Sequence, residues 1–293
     1  MNPQSNVPTR PLYWSVRREL WENRSIYVAP LAAAAVFLFA FPIGTMTQPG
    51  HRMRAIFALG AAQQRAAIEQ PYTLASILIM ATAFIVAVVY CLDALHGERR
   101  DRSILFWKSL PVSDLTTVLS KASIPLVVLP LLTFAITVVT QGIILLLTTA
   151  IVLGSGLSVA TLWTQVPFFH MSVLLLYHLV TVHALWHAPI YAWLLLVSVW
   201  ARRAPFLWAT LPLLAIGVVE KIAFNTSHFA AMLGNRISGG MEAVPARGSV
   251  PMDSLTHVDP VRFLSTPGLW IGLAFAVAFL AVAVRLRRYR EPI

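Results

Sequence analysis

The stretch Tyr72-Thr-Leu-Ala-Ser-Ile-Leu-Ile-Met-Ala-Thr-Ala-Phe-Ile-Val-Ala-Val-Val-Tyr-Cys-Leu92 holds no charge over 21 residues and runs straight into Asp93-Ala-Leu-His-Gly-Glu-Arg-Arg-Asp-Arg102. At 1.5 Å per residue, about 20 apolar residues are what a bilayer core about 30 Å thick requires of a helix. The apolar positions follow neither alternation nor heptads, so the stretch reads as a membrane-crossing helix. Five more segments meet the same length, at 26–45, 123–148, 168–200, 205–224 and 268–284. Composition points the same way: 58% of the 293 residues are apolar and 12% charged, against about 45–50% and about 25% in soluble domains. Long apolar runs imply helices rather than a barrel. The expected fold class is an all-α membrane protein with six transmembrane helices.

The net charge of +10 does not call for nucleic acid, because the basic residues sit at the ends of the apolar runs. Arg10, Arg17, Arg18 and Arg24, then Arg99, Arg100, Arg102, Lys108 and Lys121, then Arg202 and Arg203, then Arg285, Arg287, Arg288 and Arg290 make fifteen on one face. Arg52, Arg54, Arg65, Arg236, Arg247 and Arg262 make six on the other. The excess places both termini in the cytoplasm. The first apolar run lacks a small-residue cleavage pattern and reads as a retained helix, not a signal peptide. Cys91 is the only cysteine, which excludes an intrachain disulfide and a cysteine-based metal site.

Two segments exceed one crossing. Segment 168–200 would reach about 50 Å as a single helix, so Pro189 is expected to kink it or to divide it into a crossing and a short re-entrant piece. Pro125 and Pro130 stand in the same relation to segment 123–148. No internal repeat is visible, which weighs against carriers built from duplicated halves.

The polar hairpin 93–121 is the densest charged stretch of the chain. Glu98 and Arg102 are spaced to pair on a helix, Pro111 stops that helix, and Ser113 is placed to cap the next. The apolar block Ile104 to Trp107 in a polar loop marks a docking surface or the membrane interface. Residues 1–25 form the other expected non-spanning element, an interfacial helix over Pro11 to Arg24. There Leu12, Val16 and Leu20 make an apolar stripe, with Arg18, Glu19 and Glu22 opposite.

The order of interfacial helix, two crossings, and a hairpin reading Glu98-Arg99, then Ser103-Ile104-Leu105, then Leu110-Pro111-Val112-Ser113, then Lys121 and further crossings resembles the permease subunits of ABC-2 type transporters. The stretch Leu185-Trp-His-Ala-Pro-Ile-Tyr-Ala-Trp-Leu-Leu-Leu-Val-Ser-Val-Trp-Ala-Arg-Arg-Ala-Pro-Phe-Leu-Trp208 also looks like small bacterial members of that family. The resemblance implies that 26–293 is a transmembrane domain in a bacterial inner membrane, and that 93–121 is a coupling helix seated in an ATP-binding subunit. The implied contact residues are Glu98, Arg99, Asp101, Arg102, Phe106 and Trp107. It further implies an external loop, 225–267, folded into short helices over the translocation path, with 228–237 as one of them. The implied partners are the ABC ATP-binding subunit, a second permease copy (homodimer or close paralogue) and membrane lipid.

No G-x-x-x-x-G-K-[ST] loop occurs in the chain, so ATP and Mg would be bound by the partner subunit and no cofactor is expected here. Nor does any catalytic constellation of nucleophile and base stand out. His183 and His187, four apart, share a helix face as metal ligands do, but a metal needs three or four converging groups. They are expected to make hydrogen bonds or to line the path. Glu220, an acid inside a crossing, is weighed as a gate or path residue against a structural hydrogen bond near the interface. Two other classes stay open: a polytopic metal-dependent membrane enzyme using His183 and His187, and a self-contained channel or secondary carrier.

Overall fold

The computed structural model describes residues 11–46, 55–56, 58–103, 112–156, 158–239 and 260–289. Among them every regular element is helical, and six helices are long and apolar enough to cross a membrane: Ser25–Ile43, Ala62–Arg100, Asp114–Gly154, Leu162–Trp186, Pro205–Phe224 and Pro267–Tyr289. The elements are α1 (Pro11–Glu22), α2 (Ser25–Met46), α3 (Ala61–Asp93), α4 (His96–Arg100), α5 (Asp114–Ser123), α6 (Leu129–Gly154), α7 (Val159–Gln165), α8 (Phe168–His178), α9 (Ala188–Trp200), α10 (Pro205–Phe224), α11 (His228–Ile237), α12 (Pro260–Ser265) and α13 (Pro267–Tyr289).

Two boundaries depart from the sequence reading, each for a local reason, and a third falls close to where it was expected. Helix α3 starts eleven residues before Tyr72. Ala61-Ala-Gln-Gln-Arg-Ala-Ala-Ile-Glu-Gln70 is built almost wholly from strong helix formers, which carry the helix through Pro71. Helices α5 and α6 form one continuous rod, and the π-helical turn Ile124–Val128 between them takes up Pro125. The fourth crossing is divided near the predicted place. A π-helical stretch, Leu179–Trp186, follows α8, and Pro189 opens α9 in its first turn, where its missing N–H costs nothing.

The bundle is packed by small residues, as helices in lipid require when no hydrophobic force draws them together. Ala188 and Ala192 of α9 meet Ala276 of α13, and Ala34 of α2 meets Ile79 and Ile136. Gln141 Nε2 donates to Ser76 Oγ at 2.9 Å and fixes the register of α6 against α3. The outer faces are apolar throughout; Phe39 and Ile222, for example, are 75% and 80% exposed. This is the surface of a multi-pass membrane protein, with acyl chains in place of water.

Both described termini lie at one end of the bundle, where α1 and the last turns of α13 meet the hairpin after α3. At the opposite end, α11 is docked onto the fourth and sixth crossings. Trp186 Nε1 donates to Asn235 O at 3.2 Å, and Arg236 Nη2 donates to Gly268 O at 2.8 Å while its guanidinium lies 4.2 Å from the Trp186 ring. A Cβ on Gly272 would run into that guanidinium. Gly272→Ala is therefore expected to evict Arg236 and lower the thermal midpoint by about as much as Arg236→Ala, each losing roughly 1–2 kcal/mol of stacking and hydrogen bonding. The double variant should cost no more than the larger single one, and additive losses would show that the two residues do not share this site.

Candidate coupling site at the terminal end

The Glu98 carboxylate is 8% exposed and is held by three cations from three different segments. Its Oε1 lies 3.0 Å from Arg18 Nη2 of α1 and 3.1 Å from Lys121 Nζ of α5, and its Oε2 lies 3.2 Å from Arg287 Nη2 of α13. A second acid shares two of those cations. Glu19 Oε1 takes Lys121 Nζ at 2.8 Å and Arg18 Nη2 at 3.0 Å, and Glu19 Oε2 accepts the Tyr90 hydroxyl at 2.8 Å. Arg287 completes the set by donating to Asp114. Three acids face three cations in a site that Lys121, Arg287 and Glu19 enter almost completely, and a fourth acid, the half-exposed Glu22, meets Arg18 Nε at 3.3 Å on its rim.

Local sequence explains why these groups converge. Ser113 caps α5 by accepting the Thr116 N–H at 3.1 Å, and Lys121 then falls on the inward side two turns later. Helix α4 is too short to hold itself and is bolted to the end of α9 instead. Ser198 Oγ accepts the backbone N–H groups of Leu95 (3.0 Å) and His96 (2.8 Å). The Arg99 guanidinium donates to the carbonyls of Val199 at 2.6 Å and Ala201 at 3.2 Å. The hairpin base is thereby tied to α1, α5, α9 and α13 at once.

Of the residues expected to contact a partner, Glu98 and Arg99 are turned into the bundle, while Asp101 and Arg102 are on its surface. Phe106 and Trp107 lie outside the described residues. Glu98 does not pair with Arg102 as the spacing had predicted: α4 ends at Arg100, Arg102 sits at φ 58°, and the carboxylate is already taken from three other directions. Arg18, Glu19, Tyr90, Asp114, Arg287 and Ser198 were not singled out by sequence reasoning as part of this site. Glu19 had been assigned to the polar face of α1, but that helix buries the side bearing Glu19 and exposes Trp14 and Trp21, with Arg17 at 5.4 and 4.6 Å from their rings. The available signal was Lys121, a lone cation opening a crossing and needing a buried acid.

The other candidates lie away from this end. Both Glu220 oxygens are occupied in capping α11: Oε1 accepts from the Thr226 hydroxyl and the His228 N–H, each at 2.7 Å, and Oε2 from the Phe229 N–H at 2.8 Å. Such bonds suit an acid at a helix N-terminus. His183 and His187 are buried with ring centroids 6.0 Å apart beside Phe84 and Tyr191, and His187 Nε2 lies 3.1 Å from Ile237 O. Among the described residues no group of three potential ligands is placed to hold a metal.

Removing one member of a buried ionic set strands its partners, a loss of about 3–5 kcal/mol. Lys121→Met is therefore expected to lower the unfolding midpoint of the purified chain strongly, because Glu19 and Glu98 then face each other with one cation fewer. Adding Glu19→Gln should restore part of the loss. A Lys121→Met variant as stable as the wild type would mean that the set is not sealed from water.

Compared with the profiles of known families, with curated proteins and with solved structures, the chain finds no match.

Proposed function

We propose that the chain is the transmembrane permease subunit of an ATP-driven exporter of the ABC-2 type, in which hydrolysis in a separate subunit drives substrate across the membrane. The observation that carries this reading is the seating of the hairpin base. A lever must be rigid and must be fastened to what it moves. Helix α4 is fastened by buried ionic and hydrogen bonds to the N-terminal helix, to the head of the third crossing, to the foot of the fourth and to the foot of the sixth. A push on the loop that leaves α4 would reach all of them with little slack.

The spacing that carries the family resemblance acquires a physical basis from the same contacts. Glu98 and Lys121 close on each other at 3.1 Å, Arg99 holds the fourth crossing, and Ser113 starts the helix that delivers Lys121. Basic residues favour the orientation the reading needs. Among the described residues Arg17, Arg24, Arg100, Arg102, Arg202, Arg203, Arg285 and Arg288 join the networked cations at the terminal end, while Arg65, Lys221, Arg236 and Arg262 stand at the other. On this reading the terminal end faces the cytoplasm of a bacterial inner membrane. Two copies, or one copy with a close paralogue, would pair around the substrate path, and each would carry one ATPase that binds ATP and Mg. Asp101, Arg102, Phe106 and Trp107 would form the contact, and Glu98 and Arg99 would hold it in position from behind.

Purification of the chain from its native membranes is expected to bring down an ATPase with a G-x-x-x-x-G-K-[ST] loop. An aromatic anchor in a partner's pocket carries about 2 kcal/mol or more, so Phe106→Ala or Trp107→Ala should weaken recovery about thirtyfold, while Arg100→Ala, at an exposed rim position, should do far less. Full recovery and full ATPase stimulation with both aromatic residues removed would overturn the assignment.

A further inference from the structure

Deep in the bundle, five polar side chains at least nine-tenths buried each keep an atom without a hydrogen-bond partner: Thr133 Oγ1, Thr137 Oγ1, Gln141 Oε1, His183 Nε2 and Tyr191 Oη. Three of them, Thr133, Thr137 and Gln141, are four residues apart and stack on one face of α6. Other threonines in these helices bond back to their own backbone. Thr140 donates to Ile136 O at 2.7 Å, Thr148 to Ile144 O at 2.8 Å and Thr181 to Tyr177 O at 2.7 Å. Thr133 and Thr137 make no such bond, although both are fully buried. The π-helical stretch bearing His183 packs on α6, and the Tyr191 ring lies 6.3 Å from the His183 ring.

These atoms do not form an isolated pocket. The other end of the Gln141 amide reaches Ser76 on α3 at 2.9 Å. From Ser76 the line continues by helical steps to Thr73, which donates to Glu69 O at 3.3 Å, and to the buried Glu69 side chain itself. Glu69 Oε1 takes Arg65 Nε at 2.8 Å, and the Arg65 side chain is 53% exposed at the end opposite the termini. Toward the terminal end the polar line stops. Ala83, Ala87, Cys91, Leu129 and Leu195 are packed against one another with almost no exposure.

We propose that this line is a polar inlet within a single chain, open at the end opposite the termini and closed at His183 and Tyr191, which takes water and small uncharged hydrogen-bonding solutes. Buried polar atoms left alone are costly, and in proteins they are met by water or by a ligand. The class of solute follows from the lining. Hydroxyls, an amide oxygen, an imidazole and a phenol offer both donors and acceptors but no counterion. The one ionic pair, Arg65 with Glu69, sits at the mouth and neutralises itself, so an ion moving inward would lose its hydration without compensation. The inlet requires only that the chain span a membrane, and it stands or falls separately from the ATPase reading.

Thiol reactivity in the full chain, embedded in liposomes, tests the inlet, because a cysteine reacts as its thiolate and thiolates form where water reaches. The probe is the neutral, water-soluble reagent 2-hydroxyethyl methanethiosulfonate. Native Cys91, buried in the apolar plug, is the internal reference. Thr133→Cys and Thr137→Cys are made with Cys91→Ala, and Ile136→Cys, a buried position on the same helix that packs against Ala34 and Ile79, is made in the same way. Both threonine positions should react about tenfold faster or more than Cys91 and than Ile136→Cys. Equally slow reaction at all four positions, or Ile136→Cys reacting as fast as Thr137→Cys, would overturn the inlet. The two threonine sites are read independently, so loss of one variant to misfolding leaves the other to decide.

Discussion

A carboxylate taken out of water must be matched by cations and hydrogen bonds that no single helix can supply. Glu98 meets that requirement only because α1, α5 and α13 each bring a cation to it within 3.2 Å. Charge matching of this kind is directional and unforgiving, since a displaced cation leaves several kcal/mol of buried charge behind. It therefore positions the segments more sharply than apolar packing among lipid-exposed helices, where one alanine contact is much like another. Two contacts extend the same constraint to the fourth crossing: Ser198 accepts the N–H groups that the start of the short α4 leaves unpaired, and Arg99 donates to carbonyls at the end of α9.

The two ends of the bundle use polar groups in opposite ways. At the terminal end the buried polar groups are ionic and paired with one another. Along α3 and α6 toward the other end they are neutral apart from the Arg65–Glu69 pair, and several keep free lone pairs or hydroxyls. Between them lies an apolar layer around Cys91 and Leu129. The break in the fourth crossing lies at the junction: its π-helical stretch carries His183, and its next residue, His187, holds the carbonyl end of α11. π-Helical turns often mark functional positions because their widened hydrogen-bond pattern leaves backbone groups adjustable.

Most of the fold was legible in the sequence. Six apolar runs of crossing length and the proline at 189 give the helices and the divided fourth segment, and Ser113 is where a cap was expected. The coupling site was legible only as a region. Periodicity assigns Glu19 to the polar side of an amphipathic helix and Arg287 to a basic block at a membrane edge. Both readings are locally sound, and both miss that tertiary contacts bury these groups against one another. The pairing of residues 19, 98, 121 and 287 has no local pattern, because it arises where four segments far apart in sequence end at the same depth. Glu220 was legible as an acid within a crossing, but its hydrogen bonds to the start of α11 appear only when that helix folds back on it.

The central claim is that the Glu98 carboxylate makes four segments behave as one body. Hydrogen exchange along the whole chain, compared between the wild type and Glu98→Gln, tests it most directly, since the amide keeps the shape of the side chain and removes its charge. The account requires that amides in α1, in α4, in the first turns of α5 and in the last two turns of α13 lose protection together and to a similar degree, while α8 and α11 keep theirs. Loss of protection confined to α4 would contradict it, because the hairpin base would then be fastened to its neighbours by something other than this charge.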